Sequence, residues 1–343
     1  MISRVLVILL AVIASSPALR AQQSKIEISL PTDNDALFHG GGPEFYQYIE
    51  RDFHGEKSTP WEGGRYGFVR NPVPTAQGLI YTRFHEGIDV RCLHRDARGE
   101  PLDDVRAIAG GKVVHTNQVA GYSNYGRYIV IEHNWDGSPY YSLYGHLSEI
   151  AVNVGQRVNR GERIARMGYT GEGLNQARAH VHLELNLMFN RNFESWHDRF
   201  FRDPNHNGIY NGINLAGLDI ARFFLEHEKR PDLKVPEFLA QEETFYKVAV
   251  PESSHFDLRK FYPWMVKNGS ANAKSWEVSF ARSGVPLQIE ARSEAVVQPT
   301  LTYVKKTTIN CDYLTRGVVA GIGEHAHLTE NGMRQMQLLT WPD

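Results

Sequence analysis

Residues 179–185 read AHVHLEL and residues 84–90 read FHEGIDV, and both stretches hold side chains that can ligate a metal or carry a proton. In the first, His180, His182 and Glu184 alternate with Val181, Leu183 and Leu185. Alternation at period two marks a half-buried β-strand, with the valine and leucines toward a core. Both imidazoles then share the open face, about 6.5–7 Å apart along the chain. At that spacing one ring can ligate a metal while the other reaches across a water on it, so both need not bind the same ion.

In the second stretch His85 and Asp89 stand four residues apart, with Gly87 between them. A helix would put both on one face, but Gly87, Ile88 and Val90 argue against a helix. On a fully extended strand the two Cα atoms would lie about 13 Å apart. A bend near Gly87 is therefore expected, at the residue type that best tolerates one. A catalytic zinc typically takes three protein ligands and leaves one position for water. His85, Asp89 and one histidine of the pair make such a set, and the chemistry it offers is hydrolysis by an acidified water at a polarised carbonyl.

His-x-x-x-Asp followed, roughly a hundred residues on, by His-x-His resembles the M23 zinc metallopeptidases, the lysostaphin-like peptidoglycan endopeptidases. The resemblance covers about residues 84–189. It extends to GGKVVHT, YGRYIVIEH, YGHLS, VGQRVNRGERIARMGYTG and HVHLEL, which follow one another in the family's order. It implies that His85, Asp89 and His182 hold Zn²⁺. It implies that His180 and His146, the latter in YGHLS, are the catalytic histidines that activate water or stabilise the oxyanion. It also implies a substrate of peptidoglycan cross-bridges or stem peptides. Two rivals stand beside it: an exported zinc protease acting on proteins, with the same pocket chemistry, and a non-catalytic member that binds cell wall or activates a partner, a kind that generally lacks ligands. The presence of all three ligands favours the enzyme.

The elements that must position this set are short strands. KVVHT, RYIVIEH, YYSLYGHL and HVHLELNL are β-branched or aromatic runs bounded by Gly and Asn. The expected fold is mainly β: an antiparallel M23-like core over 85–189, a helical extension over 190–240 and a smaller β-rich unit over 241–343. FESWHDRFF and LAGLDIARFFLEHEKR carry the helical spacing, and Pro231 stops the second. VSFARSG, PLQIEARS, PTLTYVKK and RQMQLLTW suggest strands in the C-terminal unit. Residues 22–84 form a loop-rich N-terminal arm: 22–40 as an exposed lead-in, then GGGPEF, STPWEGGRYG and NPVPTAQG as turn formers. Two polar stretches, 91–104 and LNQAR at 174–178, are expected to shape the groove.

The remaining signals bound the function. The chain has 343 residues, 42% hydrophobic, with a formal net charge of -2, so no basic field points to nucleic acid. Arg4, the apolar run Val5–Ala14 and the small residues after it have the layout of a signal peptide over 1–21. Export to the periplasm or outside the cell follows, with no stable membrane insertion after cleavage. Cys92 and Cys311 are either one disulfide or two isolated thiols. Arg157, Arg160, Arg163 and Arg166 recur every third residue and read as a solvated rim. His325 and His327 form a second His-x-His but have no partner motif and read as surface residues. Asp203, Asn205, Asn207 and Gly208 match half a calcium loop, but Asn214 stands where a bidentate glutamate is expected, so an Asn/Gly-rich turn is favoured. Glu184 is open between a carboxylate that supports a ligand and a surface group. Tyr125, Tyr144 and Asn124 are read as groove wall or packing residues.

Overall fold

The computed structural model describes residues 25–268 and 272–342; the signal segment falls outside them. A β-hairpin, β1 (Gly67–Thr75) and β2 (Gly78–His85), leads into the short strand β3 (Ile88–Arg91). Three longer strands follow: β4 (Gly111–Asn117), β5 (Tyr128–Trp135) and β6 (Ser138–Gly145). β7 (Arg157–Val158) pairs with β4, and β8 (His180–Met188) returns through the middle of the molecule. The main sheet is antiparallel, in the order β7-β4-β5-β6-β8, and β3 and β9 (Leu215–Gly217) share the far edge of β8. The mainly β, antiparallel core is as expected.

The core lies against this sheet. Ile129, Val130, Ile131, Leu143, Val181, Leu183, Leu185 and Leu187 are all fully buried. β8 is buried at every one of its nine positions rather than at alternate ones. Its polar face is roofed by other segments, so the open face expected from alternation is covered. The reason is tertiary: period two says which residues share a face, not what packs on it.

The arm departs from a loop-rich, exposed lead-in. NPVPTAQG is the tip of the β1–β2 hairpin, with Pro72 opposite Tyr81 and Pro74 opposite Leu79. This two-stranded ribbon needs no ladder donor on its outer edge, which is where strand prolines are tolerated. Ile26, Thr32, Asn34 and Leu37 are buried, and Ser29 N–H donates to Ile108 O at 2.8 Å. The lead-in is therefore packed on the core.

Helix α1 (Phe193–Phe200) follows β8. α2 (Ile220–Lys229) begins after Asp219, whose side chain caps it by accepting from Arg222 N–H. The helical reading from Leu215 therefore started one element too early, because Leu215–Gly217 is recruited to the sheet edge. Beyond α3 (Val235–Leu239) a second sheet forms from β10 (Tyr246–Pro251), β11 (Val266–Lys267), β12 (Ser275–Phe280), β13 (Pro286–Arg292) and β14 (Thr300–Val304). RQMQLLTW is not a strand: α4 spans Glu330–Leu338, capped by Thr329 accepting from Gly332 N–H. Met333, Met336 and Leu339 recur every third residue, a helical spacing that outweighs the short β-like run. The C-terminal unit meets the core directly, with Asn190 Nδ2 donating to Leu338 O at 2.8 Å.

Candidate metal centre

Asp89 lies on β3 and His182 on β8, directly opposite each other in the antiparallel register. Gly145, at the end of β6, faces His182 from the other side, and His146 follows it. His85 ends β2. Thus three neighbouring strands and one hairpin deliver the set. The turn from His85 to Asp89 runs through Gly87, but its backbone is not in the left-handed region. A Cβ there would lie 2.2 Å from Leu183 O and 2.8 Å from Glu184 Cγ. The chain bends at Glu86 and Gly87 as expected, but glycine is required there because the loop presses against β8.

His85 Nε2 lies 3.0 Å from His182 Nδ1, His182 Nδ1 lies 3.0 Å from Asp89 Oδ1, and His85 Nε2 lies 3.1 Å from Asp89 Oδ1. These three form a group in which all donor atoms lie within 4.8 Å of one another. Tetrahedral bonds of about 2.0–2.1 Å separate ligand atoms by about 3.3 Å. The observed triangle is a few tenths of an ångström tighter, so a small outward movement accommodates an ion. The far nitrogen of each ring is also engaged. His85 Nδ1 sits 2.8 Å from Arg65 O, and His182 Nε2 sits 2.8 Å from Glu184 Oε1. An N–H donated outward turns the other ring nitrogen inward, where its lone pair can ligate an ion that displaces any proton it holds. The donor set therefore fits a zinc ion.

His180 and His146 stand beside the triangle and are wired alike. His180 Nδ1 is 2.6 Å from Arg178 O, with its Nε2 3.4 Å from Asp89 Oδ1. His146 Nδ1 is 2.8 Å from Thr170 O. The His146 ring centroid lies 4.7 Å from that of His180 and 5.8 Å from that of His182. His146 adopts a left-handed backbone (φ 65), uncommon for a side-chain-bearing residue and often found at functional turns.

The electrostatics follow from burial and neighbours. Burial alone would raise the Asp89 carboxyl, but the imidazoles of His85 and His180 and the Arg70 guanidinium outweigh it and hold it well below the usual range. Burial lowers His85 despite the facing Asp89 carboxylate. Burial also lowers His146 strongly, reinforced by His180 and His182. For His182 burial is overridden by the Asp89 and Glu184 carboxylates, which raise it to about 9.

Several residues left open by sequence find their places. Glu184 is fully buried, bonded to His182, to Tyr125 Oη at 2.8 Å and to Asn186 Nδ2 at 2.9 Å. Tyr144 is fully buried, and its hydroxyl accepts from Ile108 N–H at 2.8 Å, so it packs rather than lines a groove. Asn124 helps line a cleft of about 540 Å³ with Ala120, Tyr122, Ser123 and Glu172. The cleft borders His146, because Gly171 on its wall would carry a Cβ 3.0 Å from His146 Nδ1. The stretches 91–104 and 174–178 brace each other: Arg95 donates to Gln176 O at 2.7 Å, and Gln176 Nε2 donates to Glu100 Oε1 at 2.6 Å.

Other candidates do other work. In the calcium-like stretch Asn205 Oδ1 accepts from Asn207 N–H, and buried Asn214 donates to Asn190 O and Ile209 O, all bonds that close turns. Cys92 and Cys311 are both free and buried, so no disulfide joins them. His325 and His327 are exposed, and Arg163 pairs with Asp104 and Glu149 on the surface. One contact that sequence reasoning missed is Arg70 Nη2 to Asp89 Oδ2, at 2.7 Å. Nothing in a turn-rich arm singles out that arginine.

The sequence profile described as Peptidase family M23 matches residues 83–193. The chain is 39% identical over 75 residues to Lipoprotein NlpD of Yersinia enterocolitica, covering 22% of this chain and 69% of that one. It is 45% identical over 60 residues to Peptidoglycan DD-endopeptidase ShyA of Vibrio cholerae, covering 18% of this chain and 13% of that one. Among solved structures, the catalytic domain of lysostaphin from Staphylococcus simulans is 30% identical, covering 35% of this chain and 76% of that one at a TM-score of 0.25. The chain spans only 34% and 37% of the length of two further lipoprotein relatives it matches. All five of the histidine and aspartate residues described above lie inside the matched region, and a relative is matched over more than two thirds of its length: the chain belongs to peptidase family M23.

Proposed function

We propose that this protein is an exported, zinc-dependent endopeptidase that hydrolyses amide bonds in peptidoglycan peptides. The observation that carries the reading is the triangle of His85 Nε2, Asp89 Oδ1 and His182 Nδ1, with edges of 3.0–3.1 Å and both imidazoles anchored from behind. These three atoms would hold the zinc. Bound there, zinc acidifies a water and polarises the scissile carbonyl.

The chain's own residues manage the protons. His180 and His146 each donate Nδ1–H to a backbone carbonyl; this leaves Nε2 of His146 as an acceptor, while Nε2 of His180 lies 3.4 Å from the Asp89 carboxylate. Burial keeps His146 neutral, in the form that can take a proton. The ring that accepts a proton from the attacking water becomes a donor, first to the developing oxyanion and then to the departing amine. Groups of this kind supply about 10²–10⁴-fold in rate. The cleft beside His146 offers room for a peptide.

The substrate class is supported by the ShyA relative, whose name specifies a peptidoglycan endopeptidase. Export is supported by the N-terminal segment of the sequence and by the lipoprotein relatives. No helix among the described residues is long and apolar enough to cross a membrane. The full ligand set sets this reading above a non-catalytic, cell-wall-binding role. Purified sacculi incubated with the zinc-loaded protein, followed by mass spectrometry of the released muropeptides, test it. Cleaved cross-links or stem peptides, lost on chelation, are expected. Intact muropeptides alongside hydrolysis of a protein panel would move the substrate to proteins, and no hydrolysis of either would end the enzymatic reading.

A further inference from the structure

The arm surrounds the metal triangle from outside the family-matched region. Its segment Phe45–Gln47 runs along the free edge of β3: Arg91 N–H donates to Phe45 O and Gln47 N–H to Asp89 O, both at 2.8 Å. Its next segment supplies Arg65 O to His85 Nδ1 at 2.8 Å. Then comes Arg70, whose Nε donates to Gly63 O at 2.8 Å and whose Nη2 donates to Asp89 Oδ2 at 2.7 Å. One guanidinium thus ties the arm's own backbone to the oxygen of Asp89 that does not face the histidines.

The backbone is shaped for this contact. In the β1–β2 hairpin Phe68 pairs with Phe84, but Arg70 pairs with Arg83, so Val69 is an extra residue in the ladder. A bulge of this kind re-aims the side chain that follows it. Arg70 takes the face Val69 would otherwise hold, and its side chain is 21% exposed against 5% for Asp89. A planar fork with fixed donors suits a carbonyl and a carboxylate at once; a lysine has the charge but not the fork.

Building on the zinc reading above, we propose that Arg70 is a positioning residue of the metal centre. It locks Asp89 so that Oδ1 alone points at the ion, and the arm is thereby an integral outer wall of the site rather than a detachable plug. An unheld carboxylate would rotate about its terminal torsion and present either oxygen, or both. Outer-shell partners of this type typically change metal affinity by about 10–100-fold when removed.

The test is zinc affinity of the full chain, measured by competition with a chromogenic chelator, for the wild type, Arg70→Met and Arg70→Lys. Arg70→Met is expected to bind zinc about 10–100-fold more weakly, and Arg70→Lys to recover part of that loss. Thermal melting in excess chelator separates this from misfolding; should Arg70→Met fail to fold, Arg70→Lys carries the comparison alone. Unchanged or tighter zinc binding in a folded variant would overturn the proposal, the latter marking Arg70 as a mere competing cation. A wild type that takes up no zinc would instead sink the zinc reading itself, so the two failures are distinct.

Discussion

Glu184 Oε1 lies 2.8 Å from His182 Nε2, on the ring edge opposite the nitrogen that faces Asp89. Both side chains leave β8 on the same face, two residues apart. Glu184 therefore sets which nitrogen of His182 carries the proton and which offers the lone pair. Removing it should free the ring to change tautomer and rotate. Glu184→Ala is expected to lower zinc affinity by about 10–100-fold, while Glu184→Gln, which keeps an acceptor oxygen, should lose less. Chelator competition on both variants is the check, and equal zinc binding in Glu184→Ala would reject this role.

The two kinds of histidine should separate under substitution. Asp89→Ala and His182→Ala remove a vertex of the triangle and should abolish both zinc retention and hydrolysis. His180→Ala and His146→Ala leave the triangle intact, so zinc should stay near one per chain while turnover falls by about 10²–10⁴-fold. Metal analysis beside a muropeptide assay reads both quantities. Loss of zinc from His180→Ala, with activity regained on reconstitution, would exchange the roles within the pair.

Gly87 should tolerate no side chain. A Cβ at 2.2 Å from Leu183 O meets backbone, which cannot swing aside. Gly87→Ala must push β3 away from β8, and with it Asp89 from His182. Overpacking of this sort costs about 1–3 kcal/mol, visible as a lower urea midpoint in chelator, and zinc retention should fall with it. A variant of wild-type stability that keeps its zinc would show that the loop has slack.

Stability should fall on the acid side, in part through a histidine outside the candidate metal centre. His133 is fully buried, bonded through Nδ1 to Gly110 O and through Nε2 to Ser142 Oγ, and burial lowers it to about 4. An unfolded imidazole titrates near 6.5. As pH drops below that value the unfolded chain takes up the proton first, so this contribution is lost between about pH 6.5 and 4. The slope per histidine is at most about 1.4 kcal/mol per pH unit, and the total by pH 4 is roughly 3 kcal/mol. Urea melts of His133→Gln across that range should give a shallower profile than the wild type. Parallel profiles would assign the acid sensitivity elsewhere.

Much of the centre was legible in the sequence. His85 and Asp89, His146, and the His180–His182 pair are close in the chain or stand in recognisable strand runs, and the structure brings all five together. Glu184 could be placed on the right face but not assigned a partner, because alternation is blind to what roofs a strand. Arg70 was invisible: its partner is 19 residues away, and the bulge that aims it leaves no mark in a run of Gly, Pro and aromatic residues. The C-terminal helix over Glu330–Leu338 was misread because RQMQLLTW is short and apolar enough to suit either element until its packing chooses.

By itself, then, the order of residue types determined a β-rich core and its candidate ligating side chains, since local periodicity and ligand chemistry are properties of short segments; the choice of His182 over His180 came from the resemblance to the M23 family. Only the folded chain decided which ring nitrogen faces inward, which oxygen of Asp89 is held away, and why position 87 admits no side chain. Those outcomes rest on hydrogen bonds and close approaches between segments 19 to 97 residues apart, and such distances in space are set by packing.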